Sequence, residues 1–299
     1  MAFKITHGDH IEAEFRRIAA EQVDQVLAEI DGAGTDLTEA VHSARKRCKR
    51  LRGLIRLVRP HFPEYRRENA AIRDAAATLS ATRDADVIFV TLHKMLARMG
   101  GDARDVFAPV ADRLRAHQDT GAEEPVDTKL KGFRDDMAAL GRRAGGWRLQ
   151  AKGFRAVAPG LLDTYTQMRD AMGEARRTGD PEDFHEWRKG AKYHWHHLCL
   201  VRASAPEILS SARDVASDLA DLLGDHHDLA VLAAALEGLG DRDGLPALDP
   251  LSEAIKQRMD ELASDAFRLG HQLSAERPAG FRKRLRAYWK NWVPEEEPA

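Results

Sequence analysis

The residues able to do chemistry are concentrated in one row. His42, Arg45, Lys49, Arg52, Arg56 and Arg59 recur at steps of three and four, the spacing that stacks side chains along one face of an α-helix. Lys46 and Arg50 add charge beside the row, and no acidic residue interrupts it between Arg45 and Arg59. Like charges at this spacing destabilise an isolated helix by roughly 0.2–0.5 kcal/mol per pair. An unbroken cationic row is therefore explained by an anion that neutralises it. Lys offers a point charge and Arg a planar fork of donors, both suited to phosphate oxygens and neither needing activation. A helix of about 19 residues carries the row over about 28 Å at roughly 1.5 Å per residue, a rail for a linear polyanion.

A solvated basic face is the alternative, and repetition weighs against it. Phe184 to Lys192 matches Val41 to Lys49, pairing His42 with His185, Arg45 with Arg188, Lys46 with Lys189 and Lys49 with Lys192. A second landmark, Arg83-Asp84-Ala85-Asp86-Val87, has its counterpart in the stretch from His226 to Leu232. His42 precedes Asp84 by 42 positions and His185 precedes Asp228 by 43. Two landmarks at nearly one offset indicate an internal duplication.

The second copy is poorer in charge. Arg50, Arg52 and Arg56 correspond to Tyr193, Trp195 and Cys199, so the first copy is expected to dominate affinity. Tyr193 and Trp195 either pack between the copies or supply a hydroxyl or indole donor. Arg169, Arg202 and the cluster Arg282, Lys283, Arg284 and Arg286 offer compensating charge, ordinary exposed charge being the alternative for each. His42 and His185 would donate to phosphate or tie their helices to a neighbour. Asp84, Asp86 and Asp228 are expected to hold basic side chains or cap helices, since like charge keeps them from an anion.

These rows need helices to carry them, and almost every segment reads as one. Val41, Ala44, Cys48, Leu51, Ile55 and Val58 form the apolar stripe beside the first row, and Phe184, Trp187, Ala191, His194, Leu198 and Val201 the second. Ile11 to Ile30 gives an earlier amphipathic helix ended by Gly32-Ala33-Gly34. Thr35 or Asp36 can cap the first motif helix, which is expected to stop at Pro60. Further helices are expected over about 63–80, 84–99, 103–118 and 126–143, with a break at Gly100-Gly101. Another runs over about 149–177, stopped by Thr178-Gly179-Asp180-Pro181, and the second motif helix reaches about 204. Pro206 opens the next, Gly224-Asp225 is expected to turn it, and Asp241 to Pro246 separates the last long helices. β-branched alternation is absent, so the fold class is all-α.

Length and composition allow one large domain or two ordinary ones in 299 residues, with a formal net charge of −2. Bulk charge thus says little of partners, whereas local segregation does. The N-terminus carries charges where a secretory signal needs an apolar core, and no run reaches the roughly 18 apolar residues of a membrane span. A cytoplasmic protein with no membrane partner is the expectation. Two cysteines are too few for a disulfide framework, and Cys48 on the apolar stripe reads as a small buried residue.

The paired His-x-x-Arg-Lys-x-x-Lys motifs at 42–49 and 185–192 resemble those of the CHAD family, the conserved-histidine α-helical domain. Arg-Asp-x-Asp-Val at 83–87, Leu-Leu-Gly-Asp-x-x-Asp-Leu-x-Val at 222–231, and Gly160-Leu161-Leu162-Asp163-Thr164-Tyr165 followed by Arg169 also fit. The resemblance spans nearly the whole chain. It implies two pseudo-symmetric antiparallel helical bundles, about 1–145 and 146–293, whose basic helices face a shared central channel; the terminal stretch 294–299 is itself expected to be a disordered tail. It further implies a module that binds inorganic polyphosphate, with no cofactor, and suggests association with polyphosphate granules. The binding residues so expected are His42, Arg45, Lys46, Lys49, Arg50, Arg52, Arg56, Arg169, His185, Arg188, Lys189, Lys192 and Tyr193.

Two rivals come from other classes. Glu39-x-x-His42 and Glu182-x-x-His185 match the Glu-x-x-His motif of di-metal carboxylate bundles, but each His face continues into cations that repel metal. The glutamates also sit in first helical turns, where the helix dipole already favours them. Single-stranded nucleic acid would be drawn to the same rail, yet its binders add aromatic platforms, for which only Tyr193 and Trp195 are candidates on the motif helices. His226-His227-Asp228 is a weak phosphohydrolase-like signal, more simply a repeat position. No phosphate-cradling glycine loop or nucleophile paired with a base stands out, so no catalysis is expected.

Overall fold

The computed structural model describes residues 3–32, 34, 37–79, 81–118, 125–239 and 248–293, the side chains of 81–86 and 117–118 excepted. The described residues are helical, with no strand among them. In order the helices are α1 (Ile11–Asp31), α2 (Leu37–Leu57), α3 (Tyr65–Thr78), α4 (Ala81–Met99), α5 (Ala103–Val106), α6 (Ala108–Gln118) and α7 (Val126–Ala144). They continue as α8 (Gly153–Thr178), α9 (Pro181–Val201), α10 (Pro206–Glu237), α11 (Leu248–Leu273) and α12 (Pro278–Trp292).

Both motif helices form where periodicity places them. Each apolar stripe is buried from Val41 to Val58 on α2 and just beyond it, and from Phe184 to Val201 on α9. Burial pushes the Cys48 thiol up to about 12, as suits a small core residue. The stop before α9 is built from local chemistry: Gly179 adopts φ +69°, Asp180 accepts from the Glu182 N–H at 2.8 Å, and Pro181 opens the helix. Both motif helices end in a short 3-10 turn, Arg59–His61 and Arg202–Ser204, rather than running on. Pro60 accounts for the first, because it disfavours helical backbone at Arg59.

Two further expectations give way to packing. The helix expected over 103–118 is split at Phe107 into α5 and α6, with Pro109 in the first turn of the second piece. Conversely, α10 runs straight through Gly224-Asp225, where a turn was expected. A mid-helix glycine costs about 1 kcal/mol relative to alanine. The buried flanking residues Leu219, Leu223, Leu229 and Leu232 outweigh it, each burying apolar area of the order of 1.5–3 kcal/mol. The expected cap at Thr35 or Asp36, the separator at Asp241 to Pro246, the tail at 294–299 and the side chains of Arg83, Asp84 and Asp86 lie outside the described residues.

The core is in two parts. The larger draws on α1, α2, α3, α7, α8, α9, the first half of α10, the end of α11 and α12. The smaller is formed by α4, α5, α6, the second half of α10 and α11. Both take residues from before and after position 145. What positions the site is the meeting of α2, α8 and α9 inside the larger core. At Gly53 a Cβ would lie 2.8 Å from His196 Nδ1, and His197 Nε2 donates to the Gly53 carbonyl at 3.1 Å. At Gly160 a Cβ would overlap the Leu57 carbonyl oxygen. Glycine at these two crossings lets the three helices approach to backbone contact.

Candidate functional site

The close approach leaves a cleft of about 390 Å³ between α2, α8 and α9. Arg52 and Arg56 enter from α2, Lys189 and Tyr193 from α9, and Thr164 and Gln167 from α8. Each cation is held by a neighbour. Arg52 Nε donates to Asn69 Oδ1 on α3 at 3.1 Å. Arg56 Nη2 donates to Gln167 Oε1 at 2.7 Å while its guanidinium carbon stands 4.4 Å from the centroid of the Tyr193 ring. Lys189 is ion-paired with Glu186, which lines the cleft together with Asp170.

Asn69 is itself set by an anchored helix. The neighbouring Glu68 is fully buried and accepts from Arg67 at 2.8 Å and from Arg143 of α7 at 2.9 Å, tying α3 to α7. Thr164 is buried in the cleft wall, and its hydroxyl has no hydrogen-bond partner among the described residues. A buried hydroxyl without a partner is costly unless a ligand satisfies it. Sequence reasoning quoted Thr164 inside the Gly160-to-Tyr165 motif but gave it no role, and missed Gln167 and Asn69. Their only signal was the motif itself.

A second cleft of about 390 Å³ lies on the other flank of the α2 and α9 crossing, with Arg50, Trp195, His196, Cys199, Arg202 and Arg213 among its lining. Arg50, Trp195 and Cys199 here are separated from Tyr193, Arg52 and Arg56 of the first cleft by the same 143 positions, the offset between the duplicated motifs. Arg50 is thus set apart from Arg52 and Arg56, with which the sequence grouped it. Two helical positions are about 200° around the axis, which sends them to opposite sides. Burial, with Arg47 nearby, lowers the Arg50 pKa, and its guanidinium lies 5.7 Å from the Phe3 ring centroid. Tyr193 and Trp195 also separate. Tyr193 packs under Arg56, whereas Trp195 lines the second cleft with Lys192 Nζ 5.0 Å from its ring centroid.

The remaining expected residues lie along the rows but outside the first cleft. His42, Lys46 and Lys49 are exposed on α2, and Arg45 Nη1 donates to the Leu79 carbonyl at 3.2 Å, fixing α2 against the end of α3. On α9 the row turns toward α10. Lys192 pairs with Asp221 at 3.2 Å, and a Cβ on Gly224 would stand 3.7 Å from Arg188 Nε. His185 Nδ1 and His227 Nδ1 are 3.1 Å apart, so one ring donates and the other accepts. Burial, then the neighbouring cations Lys189 and Arg188, hold the His185 pKa below its ordinary value. Burial, then His185 and Arg188, push His227 down to about 4. His226 stacks on Phe184 with ring centroids 4.2 Å apart. Arg169 stands beside Tyr165, 5.8 Å from its ring centroid. Among the described residues no group of three or more His, Cys, Asp or Glu could hold a metal ion, so the Glu-x-x-His motifs acquire no further donors there.

A family model of the CHAD domain matches residues 17–237, a span that contains both motif helices and both clefts apart from Phe3. The chain belongs to the CHAD family. No curated protein matches it with significant similarity. Within this CHAD chain, α11 and α12 fall beyond the matched span, and no helix among the described residues is long and apolar enough to cross a membrane.

Proposed function

We propose that this protein binds inorganic polyphosphate and that binding, not catalysis, is its biochemical role. The observation that carries the reading is the first cleft, where Arg52 and Arg56 of α2 face Lys189 and Tyr193 of α9. Two guanidinium forks already oriented by Asn69 and Gln167 lose little freedom on meeting phosphate oxygens. The partnerless Thr164 hydroxyl would donate to the same chain. His42, Lys46 and Lys49 extend the track along α2, where a repeating anion gains from each added contact.

The 143-position correspondence supports reading the two clefts as duplicated flanks of one central channel between two pseudo-symmetric helical bundles. In that reading the second flank has exchanged two arginines for Trp195 and Cys199 and kept Arg50, Arg202 and Arg213. The ligand would then run from the stronger flank to the weaker. The proposed setting is cytoplasmic, with polyphosphate granules as the place where such a ligand is concentrated.

The test is a titration of the full chain with polyphosphate of defined length, wild type against Arg52→Glu with Arg56→Glu. Binding at least tenfold weaker in the double variant, with its helical content kept, is expected. Wild-type affinity in that variant would overturn the assignment of the cleft.

A further inference from the structure

A further cavity, of about 630 Å³, is neither of these clefts. It lies between the start of α8 and one face of α12, with Lys152 and Arg155 on one wall and Arg282, Arg286 and the already engaged Lys290 on the other. The side chains of Lys152, Arg155, Arg282 and Arg286 are exposed, and none of these four forms an ion pair or hydrogen bond with a described residue. Arg284, on another face of α12, is by contrast paired with Glu276 at 2.9 Å. Asp9 is the one carboxylate lining the cavity, and it faces His10 Nε2 at 3.1 Å. Isolated surface cations are ordinary. Four that converge on one walled space from two chain segments, in a protein of net charge −2, repel one another unless an anion sits among them.

We infer that this cavity is a second binding site, separate from the polyphosphate cleft, for a compact multivalent oxyanion: the phosphate groups of a small phosphorylated ligand. Three of the four converging cations are arginines, whose planar forks match tetrahedral phosphate oxygens. A single carboxylate would leave most of that charge uncompensated, whereas two or three linked phosphates balance it. The first turn of α8 adds to the field, because it has no acidic residue and no side-chain cap. Phe154 and Trp289 give the cavity an apolar wall, with ring centroids 5.6 Å apart. The α12 wall lies beyond residues 17–237, so this site is not a property of the matched domain span.

The shared chemistry has two sources, free oligophosphate or a phosphorylated molecule with a flat apolar body. Calorimetric titration of the full chain with tripolyphosphate, and separately with ATP, distinguishes them. Tripolyphosphate binding is expected to persist in Arg52→Glu with Arg56→Glu and to weaken at least tenfold in Arg282→Glu with Arg286→Glu. Arg282→Gln with Arg286→Gln gives the same comparison without reversed charge, should the first pair disturb folding. Tighter binding of ATP assigns the apolar wall to a ligand body, and equal or weaker binding assigns free oligophosphate. Wild-type affinity in both α12 pairs, or no tripolyphosphate binding by the wild type, would overturn the site. The persistence of binding in the Arg52 and Arg56 variant keeps this outcome independent of the polyphosphate reading.

Discussion

Arg56 crosses from α2 to α9 and lies against the face of Tyr193, 4.4 Å from the ring centroid. The tyrosine that replaced a cation in the second copy of the motif thus supports a cation of the first. A charge-assisted hydrogen bond contributes about 1.5–3 kcal/mol, so Arg56→Ala is expected to weaken polyphosphate binding about tenfold or more. Tyr193→Ala should weaken it less, by freeing the guanidinium. Arg188→Ala with Lys192→Ala should cost less than Arg52→Ala with Arg56→Ala, because the α9 pair faces α10. Affinity measurements across the four variants rank them, and equal losses would mean that the α9 row contributes as much as the first cleft.

The same cleft contains Glu186 and Asp170, which a polyanion must tolerate. Glu186→Gln releases Lys189 and removes a like charge, so tighter binding, several-fold at low salt, is the expected outcome. A ligand that were cationic or metal-bridged would respond with the opposite sign. Affinity measured at two salt concentrations checks both points, since released counterions make polyanion binding fall steeply with salt.

Polyphosphate and single-stranded DNA differ in what accompanies the charge. The first cleft offers phosphates its guanidiniums and lysine, whereas its one aromatic ring, Tyr193, is already covered by Arg56 and gives bases no free platform. Competition at moderate salt between long polyphosphate and DNA of matched charge should therefore favour polyphosphate. Equal displacement would move the ligand to Trp195 and the second cleft, where an aromatic face is available.

Both apolar stripes, the stop at Gly179 to Pro181 and the all-helical class were legible because they depend on local spacing and turn chemistry. What escaped depends on tertiary partners. Periodicity sets Arg50 beside the row that holds Arg52, but which cleft each enters depends on helices whose positions the sequence does not give. Gly224 carries a turn signal, yet it sits inside α10, where buried leucines on both sides hold the helix against its neighbours. Asn69 and Gln167 orient the arginines from helices that carry no charge pattern of their own. The histidines were the most ambiguous. His185 and His227, 42 residues apart in the chain, meet only because α9 and α10 are antiparallel neighbours.

The crossing glycines offer a structural test. At Gly53 an added Cβ meets the His196 side chain, which can shift, whereas at Gly160 it meets a backbone carbonyl, which cannot without moving α2. Overpacking of this kind costs typically about 1–3 kcal/mol, and more where backbone must move. Gly160→Ala is expected to be the more destabilising of the two by urea denaturation. Gly53→Ala should fold with altered binding, because it spreads the helices that set the width of both clefts.

The buried histidines give the protein an acid limit. Burial, with Arg284 nearby, lowers His194 to about 4, and burial, with Asp260 acting weakly in the opposite direction, lowers His226 to about 4. His197 is lowered by burial to about 3, and His227 to about 4. Each is neutral in the folded protein across a range where the unfolded chain, with an ordinary histidine value of about 6.5, binds a proton. The unfolded state therefore takes up more protons as pH falls, so stability is retained above about pH 6.5 and lost progressively from there toward about pH 4. Glu14 adds a loss of the same sign lower down. Burial opposes its ionisation, but hydrogen bonds from Arg17 and Thr6 prevail and lower it to about 2, so that stability disappears below the ordinary carboxylate range. Thermal melts between pH 7.5 and pH 4.5 should show the midpoint falling steadily below about pH 6.5. His227→Gln should flatten that fall, because it removes one of the groups that the unfolded state protonates.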